Sequence, residues 1–270
     1  MSDRIALYPL VKAYPVIDSR TRSEAVCVAG VSATKPRTWI RLFPLDFRGL
    51  ETEQQFKKYQ RLELDVRPAM GDSRPESRTP VLTSIVTGET IDTDRGSWRR
   101  RLELVEPLIL GSLCEIKRRQ AADRTSLGAF RPATIDELVV TDVAPAKMAA
   151  KQDLLAQQSF FDERTRKLVV LPYRFRYRFR CSDAGCTGHE LSLIDWEAGA
   201  LCLRLTHSGA DREAIAEGVR HRFLEQVCAP DRDVIFLVGN MAAHPASFLI
   251  LGVMWPPRAA TAQQTLFRAG

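Results

Sequence analysis

The sequence predicts an α+β protein in which strands outnumber helices. Short segments of alternating apolar and polar residues recur along the 270-residue chain, whereas helical spacing is confined to two stretches. Hydrophobic residues make up 45% and charged residues 27%, as in ordinary globular proteins. The length is large for one hydrophobic core, so we expect one large domain or two smaller ones.

The first half of the chain is expected to consist mainly of strands, with one helix. The strands are predicted at residues 3–16, 24–30, 38–44, 61–68, 81–88 and 134–140. The polar segment 71–80 contains two prolines and predicts a loop. A helix is expected from about Asp94 to Arg119, kinked at Pro107.

An Ala- and Gln-rich segment at 144–158 suggests a domain boundary. We therefore expect a first domain, a linker, a second α+β domain and a tail, at residues 1–143, 144–168, 169–258 and 259–270. In the second domain a helix is predicted at 210–227, where apolar residues recur every fourth position. Strands are predicted there at 169–180, 191–197, 200–206, 233–240 and 247–255.

The positive charge of the chain is clustered. The net charge is +6, and arginines are concentrated at 95–101, 117–119 and 174–180. Clustered cations attract phosphates by releasing counterions, so Arg99 and Arg100 of the first cluster are candidate phosphate contacts. The alternative is a solvated surface.

The third cluster lies on a predicted strand, YRFRYRFR, in which side chains alternate between two faces. One face carries four arginines, Arg174, Arg176, Arg178 and Arg180. Four like charges in a row indicate an anionic partner such as a phosphate backbone. The aromatic face could stack bases if it were exposed, but we expect it in the core. The alternative places the aromatic residues in the core and pairs the arginines with carboxylates on a neighbouring strand.

A cysteine- and histidine-rich turn, CSDAGCTGH, follows that strand directly. Cys181, Cys186 and His189 are spaced to bind one tetrahedral zinc ion, with Cys202 as our candidate for the fourth ligand; His207 and Asp195 are further candidates. A closed site of this kind is structural. The alternative is a metal-free turn, and Cys27 and Cys114 are expected in the core. With six cysteines and no export signal, reduced thiols in the cytoplasm are expected.

A second use of the same region is a divalent-metal site. His189, Asp195 and Glu197 have the same strand parity and could face one pocket, as in a metal-dependent nuclease. The alternative is a hairpin whose acids pair with the arginine strand. The sequence contains no GxSxG, phosphate-loop, GxGxxG or HExxH motif, so no enzyme class is recognised and we expect no nuclease activity.

The segments EAVCVAG and TWIRLFP resemble the bacterial dual OB-domain proteins, through residues 27–30 and then Trp39, Ile40 and Arg41. The resemblance covers about the first 140 residues, including SLGAFRP at 126–132. It implies small barrels with a nucleic-acid-binding face and roles in bacterial defence, and it adds Arg41 to the candidate contacts. The second half resembles other uncharacterised bacterial proteins.

Together these features predict an OB-like barrel region followed by a smaller sheet domain with a zinc-knuckle-like turn. We expect a cytoplasmic protein that binds RNA or DNA through arginine–phosphate contacts, without a membrane association. A nuclease and a non-catalytic subunit of a protein complex, whose arginine strand meets an acidic partner, remain as alternatives.

Overall fold

In the part of the chain that the structure describes, two β-sheets pack against each other and are accompanied by helices. The structure is a computed structural model and describes residues 2–17, 24–146, 148–150 and 170–260. The strands are β1 Asp3–Lys12, β2 Val16–Ile17, β3 Glu24–Ser32, β4 Trp39–Leu45, β5 Gln60–Pro68, β6 Ser77–Pro80, β7 Val86–Thr90, β8 Ile109–Leu110, β9 Leu127–Phe130, β10 Thr134–Asp142, β11 Tyr173–Arg180, β12 His189–Leu193, β13 Ile235–Met241 and β14 His244–Met254. The helices are α1 Arg99–Val105, α2 Leu113–Asp123, α3 Trp196–His207 and α4 Arg212–Arg220.

The first sheet closes into a five-stranded barrel. Its strands follow the order β1-β3-β4-β6-β5, and β5 pairs back with β1. β4 and β6 are parallel, and the other neighbours are antiparallel. Alternation along β5 places Leu62, Leu64 and Val66 in the barrel core, as predicted. The closed barrel agrees with the OB-like barrel region that was expected.

One strand of this barrel lies in a segment that was predicted to be a loop. β6 occupies the end of segment 71–80 and supplies the parallel partner of β4. Its four residues, SRTP, have no apolar alternation, so no sequence pattern marks it as a strand. Only the closure of the barrel around it explains its conformation.

The second sheet is organised around a bent segment, residues 127–142. β9 in its first part pairs with β13, and β10 in its last part pairs with β11. The sheet order is β10-β11-β12-β14-β13-β9-β8, and β12 and β14 are parallel. Segment 127–142 therefore contributes a strand near each end of the sheet, β10 at one end and β9 near the other. The predicted boundary at residue 143 falls between β10 and β11, two paired strands of this sheet.

Several predicted elements differ from those observed. Residues 200–206 were expected to form a strand but lie in α3, whose first turn is capped by Asp195 through a hydrogen bond from the Glu197 N–H. Its Ala and Leu residues favour a helix once that cap is made.

The predicted helix 94–119 is divided into α1 and α2. A 3₁₀ turn containing Pro107 and the short strand β8 separate them, because proline cannot continue the helical hydrogen bonding. The predicted helix 210–227 is α4 followed by a π-helical turn, His221–Gln226. Within the described ranges no helix is long and apolar enough to cross a membrane.

Two other predicted segments lie largely outside the described residues. Of the predicted linker 144–168, residues 147 and 151–168 are outside them, and so are residues 261–270 of the predicted tail.

An apolar layer joins the barrel to the second sheet. The outer face of β1 and β3 packs against β9, β13 and β14 through buried side chains that include Tyr8, Leu10, Ala29, Val31, Leu127, Leu237 and Leu251. The ring of Tyr14 packs directly against Gly199 of α3 and leaves no room for a Cβ there. The outer face of β3 is therefore covered by the second sheet.

Candidate arginine face and metal site

The alternation predicted for β11 is present. Phe175, Tyr177 and Phe179 are buried in the core of the second sheet, and the Tyr177 hydroxyl donates a hydrogen bond to the Phe223 carbonyl. The aromatic row is therefore core and is not available to stack bases. The four arginines point outward; Arg174, Arg178 and Arg180 are exposed and Arg176 is half-buried.

We define the arginine face as the outward side of β11 with its neighbours on β10 and β12. Arg178 lies between two carboxylates, 2.7 Å from Glu190 and 2.9 Å from Glu137. Arg176 lies 3.0 Å from the same Glu190. The hydrogen bond from Arg178 lowers the pKa of Glu190, so this glutamate is ionised at neutral pH.

The remaining two arginines of the face differ from this pair. Among the described residues Arg174 and Arg180 have no carboxylate partner. On the neighbouring strand β10, Arg174 pairs with Thr141 and Arg180 pairs with Thr134. The alternative interpretation expected the arginines to pair with carboxylates on neighbouring strands. Glu190 and Glu137 do pair with Arg176 and Arg178, but the other two arginines of β11 are not neutralised in this way.

The other candidate arginines do not join this face. Arg41 was predicted to contact nucleic acid, but it is only 2% exposed and donates hydrogen bonds to the carbonyl and hydroxyl oxygens of Ser126. It is buried because β9 and its preceding turn cover β4, and its guanidinium group contacts protein groups. Arg99 and Arg100 are exposed at the start of α1, and Arg100 lies 3.3 Å from Glu89.

Four thiol and imidazole groups meet beside the end of β11. Their ligand atoms all lie within 4.8 Å of one another, and the residues are Cys114, Cys181, Cys186 and His189, which we call the Cys/His cluster. The Nε2 atom of His189 lies 3.3 Å from the Sγ atoms of Cys181 and Cys186 and 3.6 Å from that of Cys114. The Sγ atoms of Cys181 and Cys114 are 3.6 Å apart.

These separations match the edges of a small coordination tetrahedron. An ion about 2.3 Å from sulfur and about 2.0 Å from nitrogen would separate its ligands by about 3.5 to 3.8 Å. Three sulfurs and one nitrogen form a complete ligand set. The cluster could therefore hold a metal ion.

The elements around the cluster stabilise a thiolate. Burial alone would raise the pKa of Cys181, but hydrogen bonds from the N–H groups of Asp183 and Cys114, and from the side chains of His189 and Cys186, lower it to about 6. Burial, together with the neighbouring Cys181, raises the pKa of Cys114 to about 11. The first turn of α2 thus supplies both a ligand and an N–H donor.

The fourth member of the cluster is Cys114 and not the predicted Cys202. Cys202 is fully buried in α3 and belongs to the apolar core. Cys114 had been assigned to the core because it lies in an apolar run. The sequence carries one signal for the position of Cys114. Ser112 and Glu115 have the S-x-x-E spacing of a helix N-terminus, and the Ser112 hydroxyl accepts a hydrogen bond from the Glu115 N–H, so Cys114 lies in the first turn of a helix.

The three residues of the hypothetical nuclease site are not brought together. His189 belongs to the Cys/His cluster, whereas Asp195 and Glu197 both bind Lys58, with its Nζ 3.0 Å from each. The three residues were expected on one face of a single strand. That strand, β12, ends at Leu193, and Asp195 caps the helix that follows, so the three side chains do not share a face.

Two family models match adjacent parts of the sequence. A domain of unknown function, DUF8757, matches residues 110–269, which is more than half of the chain. The chain belongs to this family. A second domain of unknown function, DUF8758, matches residues 4–107, so the DUF8757 part begins where the chain enters the second sheet.

The DUF8757 part contains both the arginine face and the Cys/His cluster. No curated protein matches the chain. A solved structure of a replication protein A heterotrimer bound to single-stranded DNA is similar over 100% of this chain and 69% of the other, at 10% identity and a TM-score of 0.29. A likeness this low carries no argument about the ligand of the DUF8757 part.

Proposed function

We propose that the protein binds RNA or DNA through the arginine face, by contacts with phosphates. The observation that supports the proposal is the row of four outward arginines on β11, of which Arg176 and Arg178 pair with carboxylates, those of Glu137 and Glu190. Among the described residues Arg174 and Arg180 have no carboxylate partner, so they keep donors for a ligand. Guanidinium groups bind phosphates in paired, charge-assisted hydrogen bonds.

The position of β11 in the second sheet supports the proposal. OB folds bind oligonucleotides on the outer face of their second and third strands. If the bent segment 127–142 is counted as the first strand, β11 and β12 are the second and third. The equivalent face of the barrel, on β3 and β4, is covered by the second sheet, whereas the arginine face is exposed.

The chemistry of the face favours the nucleic-acid backbone over the bases. Its aromatic side chains point into the core, so binding depends on charge and carries little base specificity. Such a protein suits a bacterial nucleic-acid-processing or defence complex in the cytoplasm, as the resemblance to dual OB-domain proteins implies.

We further propose that the Cys/His cluster binds a structural zinc ion. Thiolate and imidazole ligands suit zinc, and four protein ligands leave no open position for catalysis. Cys181 directly follows Arg180, so the ion would fix the end of the arginine strand against α2.

The test is a salt titration of binding to labelled single-stranded RNA, single-stranded DNA and duplex DNA. Replacing all four arginines of the face with glutamine should flatten the slope of log K against log salt by about 3, because each phosphate contact contributes about 0.7 to 0.9. The control variant removes four exposed cations elsewhere, by substituting glutamine for Lys57, Arg67, Arg95 and Lys117.

Equal losses in the two variants would mean that only net charge matters, and would contradict a specific face. Absence of salt-sensitive binding by the wild type would contradict the function itself. In that case, loss of a copurifying protein from the arginine variant would instead support the complex-subunit hypothesis.

A further inference from the structure

A second group of arginines lies where the barrel meets the segments that lead into the second sheet. An open cleft of about 730 Å³ lies between β1, β4, the 33–38 loop and residues 75–78 on one side and residues 107–110 and 119–127 on the other. This volume is within the usual range for a small-molecule site. Four arginines, Arg4, Arg37, Arg78 and Arg119, line the cleft.

Two of these arginines lack a carboxylate partner among the described residues. Arg37 donates to the carbonyl oxygens of Ser32 and Ala33, and Arg78 donates to those of Pro75 and Ser77. Their charges are therefore not neutralised by the protein. The Nε atom of Arg37 is buried without a hydrogen-bond partner. Arg4 and Arg119 have acidic partners, at 3.4 Å and 2.8 Å.

The acidic residue that lines the cleft is already bound. Glu76 accepts hydrogen bonds from the N–H and hydroxyl groups of Ser126, at 2.9 and 2.7 Å, and from the Leu127 N–H. It is held by the polypeptide on the far side of the cleft and does not pair with Arg37 or Arg78. Because Glu76 is held by these groups, Arg37 and Arg78 keep their positive charge in the cleft, and guanidinium groups without a carboxylate partner favour an anionic ligand.

One wall of the cleft is apolar and contains an aromatic ring. Trp39 is half-buried, and Ile40, Leu108 and Leu110 extend the surface around it. An indole beside unpaired arginines suits a ligand with a planar ring and a phosphate. We propose that the cleft binds a nucleoside phosphate, with its phosphates at Arg37 and Arg78 and its base at Trp39.

This inference does not depend on the function proposed for the arginine face, and the experiment separates the two sites. Binding of ATP, GTP, CTP and UTP to the full chain is measured by calorimetry in magnesium-free buffer, with inorganic triphosphate as the probe for the phosphate part alone. Saturable binding of at least one nucleotide to the wild type is expected.

Arg78→Gln should weaken nucleotide and triphosphate binding by about tenfold or more, because a charge-assisted phosphate contact is lost. The Arg78 side chain donates hydrogen bonds to main-chain oxygens of neighbouring residues, so the variant is expected to fold. Trp39→Ala should weaken nucleotide binding by about fivefold or more and leave triphosphate binding unchanged. The matched control, Arg174→Gln with Arg180→Gln, should bind nucleotides as the wild type does.

The proposal is overturned if no nucleotide saturates the wild type, or if Arg78→Gln binds as tightly as the wild type. Loss of nucleotide binding in the Arg174 and Arg180 control would place the site on the arginine face. Equal affinity for triphosphate and nucleotides, unaffected by Trp39→Ala, would leave a simple anion site and would refute the nucleoside specificity.

Discussion

Arg41 and Cys114 acquire their roles from neighbours that are distant in the sequence. Arg41 lies on an outward position of β4, which would expose it on an isolated barrel. The turn before β9 covers it instead, and Ser126 accepts its hydrogen bonds 85 positions along the chain. Cys114 is brought to the Cys/His cluster by the first turn of α2, 67 residues from Cys181.

The Cys/His cluster is expected to hold one zinc ion through all four of its members. Wild-type protein purified without added zinc should contain about one zinc ion per chain, and Cys114→Ser should contain much less after dialysis against a chelator, because one of four ligands is lost. Plasma emission spectrometry measures the stoichiometry. The melting temperature of the wild type should fall on chelation, and that of the variant should respond less.

The matched control is Cys202→Ala, which removes the thiol that was predicted as a ligand but lies in the core of α3. It should retain its zinc, although a small cavity costs some stability. Retention of a full zinc ion by Cys114→Ser, or its loss from Cys202→Ala, would show that the ligand set has been assigned wrongly.

At the scale of the element, the two faces of β11 have different surroundings. Its inward aromatic residues pack in the core, and its outward arginines form the arginine face. Arg176 and Arg178 share Glu190 on β12, so part of the positive charge is neutralised within the protein. Because strand geometry separates the two faces, changes to the outward side can alter binding without disturbing the core.

Glu190→Gln should therefore raise the affinity for nucleic acid, because it removes a charge that competes with phosphate for two arginines. We expect an increase of a few-fold at low salt that disappears as salt increases. Fluorescence anisotropy with a labelled oligonucleotide measures it. Stability should change by less than about 1 kcal/mol, since the ion pairs are partly exposed.

A comparison with Glu217→Gln distinguishes a local effect from one of net charge. Glu217 is exposed on α4 and pairs at 3.9 Å with Arg220 instead of with an arginine of β11. If both substitutions raise the affinity equally, the arginine face has no special role. An unchanged affinity in Glu190→Gln would contradict contact between phosphates and Arg176 or Arg178.

At the scale of the whole molecule, a buried ion pair links the barrel to the second sheet. Lys58, in the segment before β5, lies 3.0 Å from Asp195 at the start of α3, and their side chains are 15% and 3% exposed. Burial by itself would lower the pKa of Lys58, but the charges of Asp195 and Glu197 raise it. The lysine is therefore charged and depends on Asp195 for compensation.

Asp195→Asn should destabilise the protein by about 3 kcal/mol, because it leaves a buried ammonium group with less compensation. Asparagine caps a helix as well as aspartate does, so the loss reports the ion pair and not the cap of α3. Urea denaturation measures the free energy of unfolding. The effect should be far larger than that of Glu197→Gln, whose side chain is 60% exposed and should contribute less than about 1 kcal/mol.

Similar stabilities of Asp195→Asn and the wild type would mean that the pair contributes nothing to the association of the barrel with the second sheet. In that case the apolar layer around Leu127 and Leu251 alone would hold them together. If Glu197→Gln lowers the free energy of unfolding as much as Asp195→Asn does, Glu197 compensates the charge of Lys58 as strongly as Asp195, which would contradict this prediction.

The sequence alone determined the features that depend on local order. Alternation in β5 and β11 identified buried and outward faces, since neighbouring side chains of any strand point to opposite sides. The spacing of Cys181, Cys186 and His189 identified three members of the Cys/His cluster, because the short turn keeps them together. The short motifs around Gly30 and Trp39 indicated a barrel, which the first sheet forms.

The tertiary structure decided which outward surfaces stay exposed and which distant groups meet. Arg41 and Arg178 both occupy outward positions on strands, but only Arg41 is covered by another sheet. The fourth member of the cluster came from α2, and the partner of Asp195 came from the barrel. Alternation and spacing act over a few residues, whereas these contacts depend on how two sheets pack, and packing brings together groups far apart in the chain.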